Sequence, residues 1–510
     1  MSIKTKRHID LVYGSALRKP DATAVICGDR QLTFKQVHER AGSLGAAFRA
    51  LGLLAGDRIA LLADNELEFI ELQAACLRSG FTLVPLNSRL TDAELKFIVN
   101  DCTPAMFIGG QHYAEAVKRI GESCGVDKLF STAENGVVSS YTQLLNTAAP
   151  DPESDPTDGD LNALILYTSG TTGHPKGAVI DRMAFSARVM GNAMEMEIGQ
   201  DEILLQNLPL FHISSFLLCA YFFRGATCIL LPKFDPAAAL DVMQKKAVTA
   251  TNGVPTLIAM LLDSPHVDAY DPAPLKLITY GGSPIEPSLL RRAIAKFSCG
   301  FQQHYGMTEA GSTCILKAPD HDPNDIEALT SAGCDAAGYE LCIVDDSGKQ
   351  LPAGQTGEII LRGPGLMTGY WGLPEKTAES LVDGWFHTGD VGYRDGRNFL
   401  HVIDRRNDMI ISGGENVYPR EIEAALGEHP ARPDAAIIGL PDPKWGEVVS
   451  CVLRDDAPAV EELEAWLRER IAGYKIPRRW YRVPELPRNA IGKVLKVQLR
   501  KQFGESSQGL

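Results

Sequence analysis

Long apolar runs, paired cysteines and an excess of positive charge are all missing from this 510-residue sequence. No stretch approaches the roughly 18 apolar residues of a membrane helix, and the N-terminal MSIKTKRHIDLVYG lacks the apolar core of a signal peptide. The eleven cysteines are scattered without a C-x-x-C pair, a pattern typical of free thiols in a reducing compartment. A net charge of −14 argues against nucleic acid as a partner. We therefore expect a cytoplasmic protein with no integral membrane association and no nucleic-acid partner.

The chain is long for a single hydrophobic core. Its length predicts about two to four domains, since cores stop growing well below such a size. Hydrophobic residues make up 45% of the chain and charged residues 22%, as in an ordinary globular protein. The sequence does not decide the oligomeric state, for which a homodimer is one option.

Strands and helices alternate through the first half of the sequence. Thr33 stands three residues before Gln36, a capping-box spacing that predicts a helix in LTFKQVHERAGSLGAAFRALG. Apolar runs separated by helical patterns follow, and they predict buried strands. The predicted strands include GDRIALLADN, FTLVPLN, TPAMFIGG, TCILLP, KAVTATNGV and LKLITYGG. This alternation predicts an α/β protein whose parallel sheets are covered by helices.

The pattern changes from about Gly333 onward. Short apolar runs joined by Asp-Ser-Gly and Pro-Ala-Gly turns, as in YELCIVDDSGKQLPAGQTGEIILRG, predict β-hairpins and a small β-subdomain. A compact stretch from Ile410 to about Lys501 then predicts an α+β unit.

A polar segment follows one of the predicted buried strands. YTSGTTGHPKG, residues 167–177, combines three glycines, four Ser/Thr hydroxyls and a lysine. Glycine lets the backbone approach a ligand closely, and amides, hydroxyls and an ammonium group suit phosphate oxygens. The segment is not a P-loop, because Pro175 stands at the second glycine and Gly177 at the magnesium-binding hydroxyl. It therefore predicts a phosphate site of another ATP-using design.

Seven motifs occur in order between Leu32 and Lys496. They are YTSGTTGHPKG, LPLFHISS, YGGSPI, HYGMTE, GWFHTGD, DRRNDMIISGGENVYP and PRNAIGK. In this set and order the chain resembles the adenylate-forming superfamily, which includes acyl-CoA synthetases, peptide-synthetase adenylation domains and beetle luciferases. The resemblance implies a large N-terminal body of stacked parallel-type sheets with a small β-subdomain, and a small mobile α+β C-terminal lid. We expect the body over residues 1–404, with its β-subdomain at about 333–404, the lid over 405–510 and a hinge near 405–408.

The resemblance also implies a two-step reaction. A carboxylic acid is joined to the α-phosphate of ATP with release of pyrophosphate, and a thiol then attacks the acyl-adenylate. Such chemistry depends on charge neutralisation and alignment. By resemblance, the β- and γ-phosphates are held by Thr168, Ser169, Gly170, Thr171, Thr172, Gly173 and Lys176. Glu309 is the expected Mg²⁺ ligand and Thr308 the expected contact to the α-phosphate; without the resemblance, Glu309 would be an exposed glutamate at a helix start.

The adenosine site is implied in the same way. Its expected residues are Gly281, Gly282 and Ser283 along the adenine, Tyr305 stacked on it, and Asp390 and Arg405 at the ribose. Lys493 in PRNAIGK is the expected catalytic lysine, which bridges the substrate carboxylate and the α-phosphate. Because both groups are anionic, an ammonium group stabilises their approach in the transition state.

The lid motifs imply a second site for the thiol. The expected CoA-binding residues are Ser412, Gly413, Gly414, Glu415, Trp445, Lys475 and Arg478, and Arg479 and Arg482 extend the basic cluster toward the coenzyme's phosphates. The plainer alternative is that this cluster is an ordinary solvated face. At the hinge the chain departs from the family, which has Lys or Asp where Asn407 stands. Asparagine tolerates the backbone change that a hinge requires.

The acid pocket separates the members of the superfamily. Its expected wall consists of His212, Phe216, Val254, Pro255, Gly282, Met307 and Ile315, and His212 is also counted among the catalytic residues. A peptide-synthetase module has an acidic residue for its amine substrate where this chain has His212. The apolar wall therefore favours an apolar acid, and leaves open whether that acid is fatty, aryl or polycyclic.

We accordingly expect an ATP- and Mg²⁺-dependent acyl-CoA synthetase that acts on a small-molecule carboxylic acid, with coenzyme A as co-substrate. The main alternative is an acyl-adenylate synthetase that loads a separate acyl carrier protein. An attached carrier domain is not expected, because little sequence follows Lys493. Nothing indicates a luciferase-like oxygenase, and a non-catalytic scaffold would be expected to have lost Thr171, Glu309 or Lys493.

Overall fold

The computed structural model describes residues 11–148, 161–168, 175–405, 408–412, 415–442, 445–488 and 494–504, with residues 405, 411, 415 and 416 described by their backbone alone. The α-helices in these ranges are α1 (Tyr13–Arg18), α2 (Phe34–Ala50), α3 (Leu67–Ser79), α4 (Asp92–Cys102), α5 (Ala114–Ser123), α6 (Tyr141–Leu145), α7 (Arg182–Glu195), α8 (Ser214–Arg224), α9 (Pro236–Lys245), α10 (Pro255–Leu262), α11 (Pro287–Phe297), α12 (Ile326–Leu329), α13 (Pro374–Ser380), α14 (Pro419–Gly427), α15 (Val460–Arg468) and α16 (Lys496–Gly504). The β-strands are β1 (Thr23–Cys27), β2 (Arg30–Thr33), β3 (Arg58–Leu62), β4 (Thr82–Leu86), β5 (Met106–Gly109), β6 (Leu129–Ser131), β7 (Ser139–Ser140), β8 (Asn162–Thr168), β9 (Lys176–Asp181), β10 (Ile203–Gln206), β11 (Thr227–Leu230), β12 (Ala250–Gly253), β13 (Leu277–Gly281), β14 (Gly300–Met307), β15 (Gly311–Leu316), β16 (Cys334–Asp335), β17 (Glu340–Val344), β18 (Gly357–Arg362), β19 (Gly369–Tyr370), β20 (Leu381–Val382), β21 (Trp385–Arg394), β22 (Leu400–Arg405), β23 (Ile410–Ser412), β24 (Glu415–Val417), β25 (Ala435–Asp442), β26 (Gly446–Arg454) and β27 (Arg479–Val483).

Helix α2 begins at the capping box that the sequence predicts. The Gln36 amide donates to the Thr33 hydroxyl at 3.2 Å, and the Thr33 amide donates to the Gln36 side chain at 2.8 Å. This reciprocal pair satisfies two amides that lack partners within the helix. The apolar positions Val37, Leu44 and Phe48 are buried, so the predicted helical period points to the core.

Two large sheets form the body of the protein. The first has nine strands in the order β16-β15-β14-β13-β12-β10-β11-β1-β2, and the second has eight in the order β19-β9-β8-β4-β3-β5-β6-β7. Pairing is parallel from β14 to β1 in the first sheet and from β8 to β7 in the second. The antiparallel pairs lie toward the edges of the sheets. Intervening helices return the chain between parallel strands, as the sequence alternation predicts.

Alternate residues along a central strand serve different layers of the core. In β3, Ile59 and Leu61 belong to the core between the two sheets, whereas Ala60 and Leu62 pack with α4 and α5. The first sheet packs with α9, α10 and α11 on its outer face. A strand buried on both faces is apolar throughout, which explains the unbroken apolar runs of the sequence. The body is therefore layered as helices, sheet, helices, sheet and helices.

Helix α3 lies wholly within the central layer, and every residue from Leu67 to Ser79 is buried. A helix buried on all sides must satisfy its polar side chains internally. Glu71 does so by accepting from Arg40 Nε and from the Tyr141 hydroxyl, each at 2.7 Å. The helix thus packs between two sheets whose strand ends carry the predicted site.

Two smaller sheets follow along the chain. Strands β17, β18, β20, β21 and β22 form an antiparallel sheet whose core is continuous with the β14–β15 hairpin. The last sheet has the order β24-β23-β26-β25, with β27 parallel to β26, and packs against α14, α15 and α16. The Asp404 carboxylate at the end of β22 accepts the Arg420 amide of α14 at 2.9 Å, which links the two sheets.

The fold class predicted from the sequence is confirmed: two mostly parallel, helix-covered sheets carry a smaller antiparallel sheet and an α+β C-terminal unit. Each of the eleven cysteines is a free thiol. None of the helices within the described ranges combines the length and the apolar character needed to cross a membrane. The domain limits and the hinge near residues 405–408 stay predictions, and Asn407 lies outside the described residues.

Candidate active site

The predicted phosphate segment connects β8 to β9, which run antiparallel. Thr168 and Lys176 are paired at the end of this hairpin that adjoins the loop, and the Thr168 hydroxyl lies 3.5 Å from the Lys176 carbonyl oxygen. Ser169, Gly170, Thr171, Thr172 and Gly173 lie outside the described residues. The hairpin therefore fixes both ends of the predicted phosphate loop, with an ammonium group at its C-terminal end.

A short edge strand brings a carboxylate to the same hairpin. Strand β19 pairs antiparallel with β9, so that Tyr370 stands opposite Ala178. The Tyr370 hydroxyl donates to Glu309 Oε1 at 2.8 Å, and Lys176 Nζ lies 4.4 Å from the centroid of the Tyr370 ring. Within the described part of the chain nothing donates to Glu309 Oε2, which leaves that oxygen available as a ligand. A carboxylate, a phenol and an ammonium group thus meet beside the predicted phosphate loop.

Thr308 and Glu309 lie in the tight turn between β14 and β15, not at a helix start. The two strands approach so closely that a Cβ on Gly306 would collide with the Gly311 carbonyl. Only glycine fits at such a position. The glycine of the HYGMTE motif is therefore required by the hairpin that presents the threonine and the glutamate.

The residues expected at the adenine and the ribose are joined by a hydrogen bond. The Tyr305 hydroxyl donates to Asp390 Oδ2 at 2.7 Å. Asp390 is buried, and its amide donates to the Thr388 hydroxyl at 3.0 Å. Arg405 stands opposite Asp390 in the β21–β22 pair, while its side chain is outside the described atoms. The aromatic ring and the carboxylate are consequently held in a fixed relation.

The glycines expected along the adenine end strand β13. Gly281 pairs with His304 of β14, and Gly282 has a φ of +80°, the left-handed region that favours glycine. A Cβ on Gly282 would lie 3.5 Å from Val254 Cγ1, so this turn also borders the predicted acid wall. Ser283 follows directly in the chain. The predicted adenine and acid sites are thus adjacent at Gly282.

The other residues of the predicted acid wall come from separate elements. His212 precedes α8 and Phe216 lies in its first turn, Pro255 begins α10, and Met307 and Ile315 belong to β14 and β15. Phe216, Met307 and Ile315 are buried. The wall is therefore apolar and is built from elements of the first sheet and from the helix that follows β10.

His212 is the polar member of this wall. Burial lowers the pKa of His212 to about 4, and the charge of Arg89 acts in the same direction. Its ring lies 4.6 Å from the ring of Phe211, and its buried Nε2 has no hydrogen-bond partner among the described residues. The imidazole is thus neutral at physiological pH, with one ring nitrogen able to exchange a single hydrogen bond with a ligand.

The loop that leads to His212 is tied to the second sheet. Asn65 follows β3, and its Nδ2 donates to the carbonyls of Leu208 at 3.1 Å and Leu231 at 3.0 Å. Its Oδ1 accepts the Leu210 amide at 2.9 Å. One buried amide side chain therefore fixes the loop between β10 and α8 against both neighbouring strand ends.

The residues expected at the thiol site are described only in part. Ser412 is buried and pairs with the backbone of Glu415 in the β23–β24 hairpin. Gly413, Gly414 and Lys493 lie outside the described residues. Their predicted roles therefore stay predictions.

The basic cluster of the C-terminal unit is largely paired internally. Lys475 Nζ lies 2.5 Å from Glu421 Oε1, and Arg479 Nη2 lies 2.5 Å from Asp442 Oδ2. Arg482 donates to three backbone carbonyls at 2.6–3.0 Å. The sequence suggests that these cations are available to bind the phosphates of the coenzyme, whereas in the structure they are paired with groups of the C-terminal unit.

Arg478 differs from its neighbours in the cluster. It is exposed, and its guanidinium lies 4.2 Å from the centroid of the Trp445 ring. A guanidinium on an indole face offers a flat cationic surface that suits phosphate or a nucleobase.

Three side chains around Glu309 are not among the residues predicted from the sequence. Tyr370 holds the glutamate's carboxylate, while Arg188 and Tyr339 donate to the backbone of its turn. The local signal for Tyr370 is the run Gly-Tyr-Trp at 369–371, and that for Arg188 is an arginine among the apolar positions of α7. Neither pattern identifies its partner.

Two family descriptions match this chain in succession. The AMP-binding enzyme family matches residues 13–371, and the AMP-binding enzyme C-terminal domain matches residues 421–493. Together they span the two large sheets and most of the C-terminal unit.

Similar proteins extend over nearly the whole chain. A feruloyl-CoA synthase of an Amycolatopsis species is 37% identical over 494 residues, 96% of this chain and 97% of that protein. The fatty acid–[acyl-carrier-protein] ligase ScoC of Streptomyces coeruleorubidus is 34% identical over 505 residues, 97% of this chain and 96% of that protein. Among solved structures, ATP-bound MatB from Rhodopseudomonas palustris matches with a TM-score of 0.88 at 30% identity, over 98% of this chain and 99% of that chain.

Proposed function

This chain belongs to the AMP-binding enzyme family and is an ATP-dependent carboxylate–CoA ligase, and we propose that it acts on an apolar carboxylic acid with Mg²⁺ as its cation. The acid is joined to AMP with release of pyrophosphate, and the acyl group then passes to the thiol of coenzyme A. The observation that carries this proposal is the meeting of Glu309, Tyr370 and Lys176 beside the β8–β9 hairpin.

The phosphate end of the site fits a hard cation and an anionic chain. Glu309 offers a carboxylate oxygen, the ligand type that Mg²⁺ prefers, and Tyr370 holds the other oxygen. A bound Mg²⁺ neutralises charge on the phosphates of ATP. Lys176 and the Thr168 hydroxyl, at the two ends of the loop, add a positive charge and a donor. We assign the β- and γ-phosphates to this loop and the α-phosphate to Thr308.

The nucleoside end follows from the Tyr305–Asp390 hydrogen bond. A buried carboxylate accepts hydrogen bonds from ribose hydroxyls, as in other nucleotide folds. Because the Tyr305 hydroxyl is held by that carboxylate, its ring is positioned to stack on the base. Gly282, without a side chain, leaves space where the base and the acid adjoin.

The acid end favours an apolar substrate. Phe216, Met307 and Ile315 offer apolar surface, and neutral His212 supplies one hydrogen-bonding group. A charged amine finds no carboxylate among these residues. We therefore propose an aryl or fatty acid, and the similarity to a feruloyl-CoA synthase favours the aryl class.

The C-terminal unit is proposed to serve both half-reactions in turn. Lys493 is assigned to adenylation, where it bridges the carboxylate and the α-phosphate. The segment 412–415 is assigned to the pantetheine arm, and Arg478 on Trp445 to the nucleotide part of coenzyme A. Asn407 is assigned to the hinge between the two orientations. The free thiols support a reducing, cytoplasmic setting for this reaction.

A carrier protein is the alternative acceptor. The similarity to an acyl-carrier-protein ligase, at 34% identity over nearly the full chain, is the observation that favours it. Both acceptors present the same pantetheine thiol, so the first half-reaction does not distinguish them.

The decisive experiment separates activation from transfer. Acid-dependent pyrophosphate release is measured with ATP and Mg²⁺ over a panel of fatty, aryl and polycyclic acids. The acid with the highest turnover is then supplied with coenzyme A or with a holo-carrier protein, and the thioester is quantified. We expect an apolar acid and coenzyme A to be productive. Thioester formation on the carrier alone would replace the acyl-CoA assignment, and pyrophosphate release confined to amino acids would overturn the proposed substrate class.

A further inference from the structure

Hydrogen bonds from three other segments of the chain hold the backbone of the turn that carries Thr308 and Glu309. The Thr308 carbonyl accepts from Arg188 Nη1 at 3.0 Å, and the Glu309 carbonyl accepts from the Met367 amide at 2.7 Å. The Ala310 carbonyl accepts from the Tyr339 hydroxyl at 2.6 Å. Three successive carbonyls are therefore fixed by three different segments of the chain. Such a turn keeps its side chains in one direction.

Arg188 is the charged member of this arrangement. The residue is 3% exposed, and its Nε donates to the Gly365 carbonyl at 2.7 Å. The guanidinium lies 4.9 Å from the centroid of the Phe216 ring, and Nη2 has no hydrogen-bond partner among the described residues. One guanidinium thus links the Thr308 turn to the segment around Gly365, which also supplies the Met367 amide.

Two glycines make room for the arginine. A Cβ on Gly311 would lie 3.0 Å from Arg188 Cδ, and a Cβ on Gly365 would lie 3.0 Å from Arg188 Cγ. Both distances are shorter than an ordinary van der Waals contact. The stem of the side chain is therefore confined between the β14–β15 hairpin and the segment that leads to β19.

A buried guanidinium with an unused amino group is not explained by stability. Burial lowers the pKa of Arg188 to about 10, which still leaves it charged at neutral pH. Keeping a charge in the interior costs more than a well-packed apolar side chain of similar size. The hydrogen bonds from Arg188 to the Thr308 and Gly365 carbonyls fix the backbone of the turn, which an apolar side chain would not do.

We propose that Arg188 is a positioning residue for adenylation, acting through the Thr308 carbonyl to hold the turn that presents Thr308 and Glu309. This inference rests on the proposed roles of those two residues at the α-phosphate and the cation. Arg188 does not contact the substrates in this scheme. It restricts the turn so that the carboxylate of Glu309 stays beside Tyr370 and the phosphate loop.

Arg182 provides a matched control on the same helix. It is also fully buried, and it donates to the carbonyls of Cys76 and Leu77 near the end of α3. Its replacement removes a buried guanidinium whose hydrogen bonds to Cys76 and Leu77 lie outside the Thr308–Ala310 turn.

The test compares Arg188→Met, Arg188→Lys and Arg182→Met with the wild type. Acid-dependent pyrophosphate release is measured against Mg²⁺ and against ATP, and thermal unfolding is recorded for each protein. Arg188→Met is expected to lower the efficiency of pyrophosphate release about 10- to 100-fold in all, partly through a higher Mg²⁺ concentration for half-maximal rate, as for loss of a charged hydrogen bond. Arg188→Lys is expected to fall between, because an ammonium group keeps the charge but lacks the separate Nε and Nη1 donors of the guanidinium. Arg182→Met is expected to unfold at a lower temperature with an unchanged Mg²⁺ dependence.

Two further variants make every outcome decisive. Tyr339→Phe removes the hydroxyl that donates to the Ala310 carbonyl. It is expected to shift the Mg²⁺ dependence in the same direction as Arg188→Met, by a smaller factor. If Arg188→Met does not fold, Tyr339→Phe and Arg188→Lys test the positioning role instead. Glu309→Gln is measured in parallel. If it leaves the Mg²⁺ dependence unchanged, the proposed role of Glu309 fails. If Glu309→Gln shifts the Mg²⁺ dependence while the Arg188 and Tyr339 variants match the wild type, the positioning role of Arg188 alone is refuted. The same conclusion follows if Arg182→Met shifts the Mg²⁺ dependence as much as Arg188→Met does.

Discussion

The hydrogen bond between Tyr370 and Glu309 can be removed with almost no other change. Tyr370 is buried, its ring packs in the core shared by the third sheet and the β14–β15 hairpin, and its backbone pairs with β9. Tyr370→Phe keeps that packing and loses only the hydroxyl that donates to Glu309 Oε1 at 2.8 Å. The ring face beneath Lys176 also remains. The variant therefore tests the hydrogen bond to Glu309 with the ring and the backbone of residue 370 kept.

The size of the effect follows from the charge on the acceptor. A hydrogen bond to a charged group contributes about 1.5–3 kcal/mol, and each 1.4 kcal/mol corresponds to about tenfold in a rate or binding constant. Among the residues that the structure describes, no other side chain then fixes the orientation of the Glu309 carboxylate. We expect Tyr370→Phe to lower the efficiency of acid-dependent pyrophosphate release about 10- to 100-fold and to raise the Mg²⁺ concentration for half-maximal rate.

Tyr113 supplies the control for this experiment. Its hydroxyl donates to Asp64 Oδ1, also at 2.8 Å, and neither residue is among those assigned to the phosphates, the cation or the nucleoside. Tyr113→Phe removes the same kind of bond and is expected to leave the Mg²⁺ dependence unchanged. A Tyr370→Phe enzyme with a half-maximal Mg²⁺ concentration within twofold of the wild type would refute the view that this phenol orients the glutamate. So would an equal shift in the Tyr113 variant.

Three further predictions address the lid, the hinge and the body. Lys493→Ala should lower acid-dependent pyrophosphate release by about two to three orders of magnitude, as for the loss of one preorganised charge. The same variant should still convert supplied acyl-adenylate and coenzyme A to thioester. Equal loss of rate in both assays would reject alternating lid orientations. Asn407→Pro should slow overall turnover by fixing φ at the hinge, and unchanged turnover would place the pivot elsewhere. Burial raises the pKa of Glu66 from 4.5 to about 7, so this group's contribution to stability is present below pH 4.5 and is lost as pH rises through 7. Glu66→Gln should consequently gain up to about 3 kcal/mol over the wild type between pH 4.5 and 8 in denaturant unfolding, and a difference that stays constant over this pH range would refute the raised pKa.

Elements with strong local signals were predictable from the sequence. The capping box at Thr33 and Gln36 marks the start of α2, and unbroken apolar runs mark the central strands of both sheets. These signals are local because helix caps depend on residues three apart and buried strands on a few consecutive side chains. The turn chemistry after Gly333 likewise predicts the antiparallel pair β17–β18.

The surroundings of Glu309 were not predictable in the same way. Tyr370 lies 61 residues from Glu309, and Arg188 lies 120 residues from Thr308. These contacts depend on β19 adding to the edge of β9 and on the placement of α7 beside the β14–β15 hairpin. No periodic pattern of apolar residues in the sequence predicts how these elements are placed relative to one another. For the same reason the sequence treats Lys475 as an available cation, although the fold pairs it with Glu421.

The clamp made by Asn65 bears on attempts to redesign substrate choice. The loop of residues 208–210 leads directly to His212 and Phe216, and its course is set by a side chain that comes from the other sheet. The conformation of the loop that leads to the acid pocket therefore depends on a residue outside that loop. A loop transplanted from another ligase keeps its own shape only when its partner at position 65 travels with it. Libraries that randomise the pocket while conserving Asn65 should yield more folded variants than libraries that exchange the loop alone.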